Sequence, residues 1–179
     1  MTKDNFSFSC KSLVVGGYHF GLDLSADSVE QDTQKTPPTV TTRTTGAALC
    51  RALERDEGKD KDKESPLLKC PNGASVCQVV LVSDEDSKTS VIAAIKPFAL
   101  AANLPTAKDF VVKKDGKGFD LFLKGADWGS HSLATNASFV CGEKKAFAVS
   151  PLSTDSTLVL TFTTPAACGT KNGSIGEGV

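Results

Sequence analysis

Short runs in which apolar and polar residues alternate, separated by turn residues, dominate the chain. Such runs predict strands, and their spacing is typical of a β-sandwich or β-barrel. Gly16-Gly17 and Asp115-Gly116 predict tight turns because these residues tolerate positive φ. Phe98–Pro105 favours a short helix ended by its proline. The predicted strands are Phe6–Val15, Tyr18–Leu24, Thr39–Cys50, Ser75–Val82, Ser90–Phe98, Phe110–Lys114, Phe119–Lys124, Ala137–Cys141 and Thr157–Thr163.

The length and the net charge of the chain favour one soluble domain that is not attracted electrostatically to polyanions such as nucleic acid. The chain has 179 residues and a formal net charge of -1, so we expect no nucleic-acid partner. We expect a single domain over residues 1–169 and a flexible tail over 170–179. Residues 54–65 contain no apolar side chain and predict a mobile charged loop within the domain. An electrostatic docking role for that loop is the alternative.

The chain has six cysteines. An even number indicates a disulfide framework with fifteen possible connectivities, whereas the absence of a Cys-x-x-Cys pair disfavours zinc. Asn-x-Ser triplets make Asn5, Asn136 and Asn172 candidate glycosylation sites. Together these features favour an oxidising, luminal or extracellular compartment. Buried free thiols in a cytosolic protein are the alternative.

The polar residues of the sequence give little indication of a catalytic site. The two histidines, His19 and His131, fall in a strand-like run and in a loop, where structural or surface roles are the ordinary ones. The acidic cluster Asp84-Glu85-Asp86 is typical of a turn, and no glycine-rich phosphate loop occurs. We therefore expect no enzyme activity, no catalytic residues, no cofactor and no metal.

Three stretches taken together resemble a known family. They are Thr36–Leu53, Cys70–Val80 with glutamine directly after a cysteine, and Asn136–Cys168 with its "SFVC" and "TPAAC" segments. Their order and spacing are similar to the mannose 6-phosphate receptor homology domain. Within it they are most similar to the luminal domains of the autophagy-related protein 27 group. The resemblance implies a flattened β-barrel or sandwich of two mostly antiparallel sheets.

The resemblance also implies the disulfide pairing. It pairs Cys10 with Cys50 and Cys141 with Cys168, which leaves Cys70 with Cys77. In the chain-entropy model the two long loops contribute roughly 3–4 kcal/mol each and the short one about 2.5 kcal/mol. Such bonds are large against a domain stability of about 5–15 kcal/mol.

Sugar-binding members of the family use a Gln, an Arg, a Glu and a Tyr. Gln78 matches the Gln, but Leu158 stands at the Tyr position and no Arg or Lys lies between Trp128 and Cys141. Glu143 comes too early for the Glu and Asp155 too late. Gln78 is then interpreted as a vestigial sugar residue, or as a strand residue whose amide bonds to backbone. We expect no strong binding of mannose 6-phosphate.

The resemblance implies the luminal part of a type I membrane protein. Its signal peptide and membrane span are expected outside these residues. It also implies a role in autophagy and vesicle trafficking at Golgi, endosome, vacuole and autophagosome-precursor membranes. Partners would be other trafficking and autophagy membrane proteins. The alternative is a working mannose or mannose 6-phosphate lectin whose missing roles are supplied by residues such as Arg43 or Tyr18.

Overall fold

A computed structural model describes residues 6–24, 28–53, 66–86 and 90–171. Strands dominate it, and no α-helix occurs among the described residues. Nor do they include a helix long and apolar enough to cross a membrane. The strands are β1 (Ser7–Phe8), β2 (Leu13–Val15), β3 (Tyr18–Phe20), β4 (Ser28–Thr36), β5 (Thr39–Ala47), β6 (Ala74–Asp84), β7 (Ser90–Leu100), β8 (Phe110–Val112), β9 (Gly118–Trp128), β10 (His131–Cys141), β11 (Ala146–Val149), β12 (Thr157–Thr164) and β13 (Thr170–Lys171).

The strands form three sheets. A five-stranded sheet has the order β11-β12-β10-β9-β8, a four-stranded sheet the order β4-β5-β6-β7, and a small sheet the order β1-β2-β3-β13. Pairing is antiparallel except between β10 and β12, which run parallel. The all-β prediction is confirmed, and the arrangement is a sandwich, because the described strands do not close into a barrel.

Four phenylalanines form one row across the five-stranded sheet. The register places Phe119 opposite Phe139, Phe139 opposite Phe162, and Phe162 opposite Phe147. Neighbouring ring centroids lie 4.6, 4.7 and 4.8 Å apart along this row. Cross-strand aromatic pairs of this kind stabilise a sheet beyond their burial alone. Phe119 and Phe139 are fully buried, so the row anchors the main core.

The two larger sheets approach closely where β7 crosses β9 and β10. A Cβ built on Gly125 of β9 would lie 2.5 Å from the Phe98 carbonyl of β7, so only glycine allows this contact. Nearby, the buried Thr135 hydroxyl donates to the Phe98 carbonyl oxygen at 3.0 Å. These contacts seal one end of the sandwich. The other end of β4–β7 extends past the core.

Three disulfides join Cys10 to Cys50, Cys70 to Cys77 and Cys141 to Cys168. These are the pairs that the resemblance implies. The last bond links the end of β10 to the turn after β12. The Cys70–Cys77 bond is part of a second, smaller apolar cluster on the outer side of the four-stranded sheet. Residues 54–65, expected as a mobile loop, lie outside the described part of the chain.

Several predicted elements differ from the structure in extent. The predicted helix at Phe98–Pro105 is wrong, because β7 continues to Leu100 and a turn follows. Pattern analysis missed β4, β11 and β13. The last of these pairs Thr170 and Lys171 with β3, within the segment expected as a tail. Residues 172–179 lie outside the description.

Candidate functional site

A polar cleft of about 1040 Å³ opens where the four-stranded sheet extends past the core. Its floor is the inner face of β4–β7, and its wall is the segment Val149–Asp155 with Leu158. Three carboxylates and two basic side chains line it, so its formal charge is negative by one; they are Glu30, Asp32, Asp155, Arg43 and Lys96. The expectation of no strong mannose 6-phosphate binding stays a prediction.

Gln78 lies at the centre of the cleft floor. It sits on β6 between Thr45 of β5 and Lys96 of β7, and its side chain is nearly buried. Gln78 Nε2 donates to Thr45 Oγ1 at 3.0 Å. The amide therefore bonds to a side chain rather than to backbone. Gln78 also lines the cleft, and a glutamine side chain carries both a donor and an acceptor group.

Glu30 and Arg43 place opposite charges on the same floor. Glu30 on β4 accepts a hydrogen bond from the Val149 backbone N–H and so ties the edge strands of the two sheets together. Arg43 on β5 lies opposite Asp32, and its Nη1 donates to Gln34 Oε1 at 3.5 Å. Arg43, weighed as a substitute for the family arginine, thus lines the same cleft as Gln78.

Lys96 anchors the cleft wall. Its Nζ donates to the Asp155 carbonyl oxygen at 3.2 Å and lies 3.8 Å from the Asp155 carboxylate. Only 11% of the Lys96 side chain is exposed, whereas the Asp155 carboxylate is fully in solvent. The lysine therefore holds the loop before β12 over β7. Asp155 comes too late in the sequence to match the family glutamate, yet its side chain lines the cleft.

Other residues weighed for sugar binding lie elsewhere or lack the chemistry. Leu158 lines the cleft but is buried and offers no hydroxyl. Tyr18 lies on β3 and packs against Gly116 in the small sheet, so it does not substitute for the family tyrosine. Glu143 is exposed in the loop after β10 and is not among the cleft residues. Glu30, rather than Glu143, supplies a glutamate to this cleft.

The residues weighed for catalysis do not assemble. His19 lies in β3 as predicted, and its Nε2 is 3.1 Å from Ser12 Oγ. His131 is the exposed first residue of β10 rather than a loop residue. Asp84 ends β6 and the next two acidic residues form the predicted turn. Across the described ranges no group of His, Cys, Asp or Glu is placed to hold a metal ion.

One of the three glycosylation candidates can be located. Asn136 is exposed in the middle of β10, whereas Asn5 and Asn172 lie outside the described residues. The charged cleft residues that sequence reasoning missed are Glu30, Asp32 and Lys96. The first two lie on β4, a strand with almost no apolar residue. The one available signal is the Pro37-Pro38 turn before β5, which marks β4 as its hairpin partner.

Comparison with known proteins supports the resemblance noted in the sequence. The chain is 26% identical over 139 residues to Autophagy-related protein 27 of Meyerozyma guilliermondii, which covers 78% of this chain. The matched part is 48% of that relative, so the chain spans about half the relative's length. A sequence model of the family described as Autophagy-related protein 27 matches residues 1–178. The chain therefore belongs to the Autophagy-related protein 27 family.

Proposed function

We propose that this chain is the luminal domain of a type I membrane protein of autophagy and vesicle trafficking. It acts in protein sorting and does not bind mannose 6-phosphate strongly. The match to an autophagy-related family over residues 1–178 carries the proposal. Three disulfides support it, because such bonds persist in oxidising compartments such as the secretory lumen.

The cleft supports the part of the proposal that concerns the ligand. Its carboxylates outnumber its basic groups, and Leu158 stands where a sugar-binding relative would present a hydroxyl. A hydroxyl-rich ligand that loses a partner in a buried site also loses affinity. We therefore expect the contacts that matter to be with other membrane proteins of the same vesicles.

A protease-protection experiment on the full-length protein in sealed vesicles tests the topology. We expect an antibody epitope within residues 1–169 to survive added protease until detergent opens the vesicles. An epitope at the far C-terminus should be lost without detergent. Digestion of both epitopes in sealed vesicles would overturn the luminal assignment. Deletion of the gene should also slow delivery of an autophagy cargo.

A second candidate function is a lectin for neutral mannose. The observation that favours it is that Gln78, Arg43 and Glu30 line one cleft, because a Gln, an Arg and a Glu are three of the four residue types that sugar-binding relatives use. Calorimetric titration separates the candidates. Saturable mannose binding that Gln78→Ala or Arg43→Ala weakens by about tenfold would favour the lectin. Lys117→Ala, an exposed substitution in the β8–β9 turn, is the control.

A further inference from the structure

The outer face of the five-stranded sheet has an exposed aromatic side chain beside a glycosylation triplet. Along β10 the buried residues Thr135 and Ala137 alternate with the outward-facing Asn136 and Ser138. β10 is the central strand of the sheet, so Asn136 stands in the middle of this face. In the triplet Asn136-Ala137-Ser138 the asparagine side chain is therefore exposed to solvent, whereas Ala137 faces the core.

The register places two apolar side chains directly beside Asn136. Its partner on β9 is Phe122 and its partner on β12 is Val159. Phe122 is 42% exposed, an unusual cost for a phenylalanine on a sheet face. Residues opposite each other on neighbouring strands lie within side-chain contact distance. A group attached to Asn136 Nδ2 is therefore within reach of the Phe122 ring.

A depression of about 930 Å³ lies beside Phe122, and Asn136 is next to it rather than part of its lining. Phe122, Lys124 and Ala134 line it from the sheet, and the exposed Leu104 lines it from the loop after β7. The remaining lining groups include the neutral side chains of Thr106, Ser132 and Asn103 and the charged side chains of Lys108, Asp109 and Asp127. Apolar surface mixed with hydrogen-bonding groups suits a sugar, which has both apolar C–H faces and hydroxyls.

We infer that Asn136 carries an N-linked glycan whose first N-acetylglucosamine packs on Phe122. The glycan then lies over the outer face of the five-stranded sheet. It leaves the polar cleft open, because along β12 Leu158 points into the cleft while Val159 points to the opposite face beside Asn136. Partner proteins are thereby directed to the side that carries the cleft. The inference rests on the proposed luminal location.

Occupancy is measured by intact mass and peptide mapping of two samples. The first is the 179-residue chain secreted from yeast behind a secretion signal, and the second is the full-length protein from its own membranes. We expect glycan on the Asn136 peptide in both samples. Asn136→Gln and Ser138→Ala should each remove the mass of one glycan. Secreted chain with its disulfides formed but with an unmodified Asn136 would overturn the inference.

The same samples keep failure of the inference apart from failure of the proposed function. Asn5 and Asn172 report the compartment independently of Asn136. Glycan on either of them, without glycan on Asn136, would overturn the inference and leave the luminal location standing. A modified Asn136 in the secreted chain, together with full-length protein free of any glycan, would overturn the luminal location and with it the native modification.

Thermal unfolding tests the packing on Phe122. We expect trimming to a single N-acetylglucosamine to leave Tm nearly unchanged and Asn136→Gln to lower Tm by roughly 2–4 °C. In a Phe122→Ser background, loss of the glycan should change Tm by less than about 1 °C. Val111→Ser, an exposed apolar position on β8, is the control and should preserve the full glycan effect. An equal effect in both backgrounds would overturn the packing.

Discussion

The two larger sheets of this domain contribute differently to the hydrophobic core and to the polar cleft. The inner face of the five-stranded sheet is almost wholly apolar, with the aromatic row through Phe119 and Phe139 at its centre. The inner face of the four-stranded sheet is apolar at Val76 and becomes polar by Gln78, two residues further along β6. One sheet therefore provides most of the core. The other begins in the core and ends as the floor of an open cleft.

The difference teaches where this fold tolerates change. A buried side chain that leaves a cavity costs stability, whereas a half-exposed polar side chain can be replaced by water. The half-exposed and exposed positions of the cleft floor, such as Arg43 and Asp32, are therefore free to change their chemistry while the sandwich persists. Leu158 differs from these positions, because it reaches the cleft from β12 of the five-stranded sheet and is buried in the main core.

The largest expected contrast is between one residue of each sheet. Phe139→Ala should lower the free energy of unfolding by about 3–5 kcal/mol, because it leaves a cavity in the stacked row. Arg43→Ala in the cleft should change it by less than about 0.5 kcal/mol. Urea denaturation followed by circular dichroism measures both. A cost for Arg43→Ala equal to that for Phe139→Ala would remove the proposed division.

The disulfides extend the comparison. Replacing Cys141 and Cys168 together by alanine should cost about 3–4 kcal/mol, because that bond spans 27 positions in the sequence. Replacing Cys70 and Cys77, only 7 positions apart beside the four-stranded sheet, should cost about 2.5 kcal/mol. Urea denaturation without reductant gives the order. The reverse order would show that residual structure in the unfolded chain outweighs loop length.

A smaller effect is expected at the boundary between core and cleft. Gln78→Leu and Thr45→Val each leave one buried partner of the 3.0 Å hydrogen bond unpaired and should each cost about 1–3 kcal/mol. The double variant should cost less than the sum, with a coupling near 1 kcal/mol. A double-mutant cycle in urea measures this coupling. Strictly additive costs would mean that the bond contributes nothing to stability.

The smallest effect is expected at the rim of the cleft. Asp155→Asn should leave the free energy of unfolding unchanged, because the carboxylate is fully exposed and lies 3.8 Å from Lys96. Parallel denaturation at low and high salt is the measurement. A salt-dependent loss as large as that of Gln78→Leu would place a stabilising ion pair at this rim.

Pattern reading succeeded where strands are covered on one side. In β12, Leu158, Leu160 and Phe162 alternate with Thr and Val residues because only one face of the strand is buried. It failed for β4, whose one large apolar residue, Val29, is 55% exposed. β4 is held by pairing with β5 rather than by burial, so it leaves no hydrophobic period. The short apolar run at Phe98 was ambiguous because a buried strand and a short helix share that composition.

The sequence by itself determined the all-β class, because burial of one face makes apolar residues recur at every second position of a core strand. Its cysteines and motifs determined the family resemblance, and Leu158 at the position of the family tyrosine predicts that a sugar hydroxyl partner is missing. Only the tertiary structure decided which distant residues meet. It brought Glu30 and Arg43 to the cleft of Gln78, and Phe122 to the side of Asn136. Strand register sets such meetings, and register depends on pairing between strands far apart in the chain.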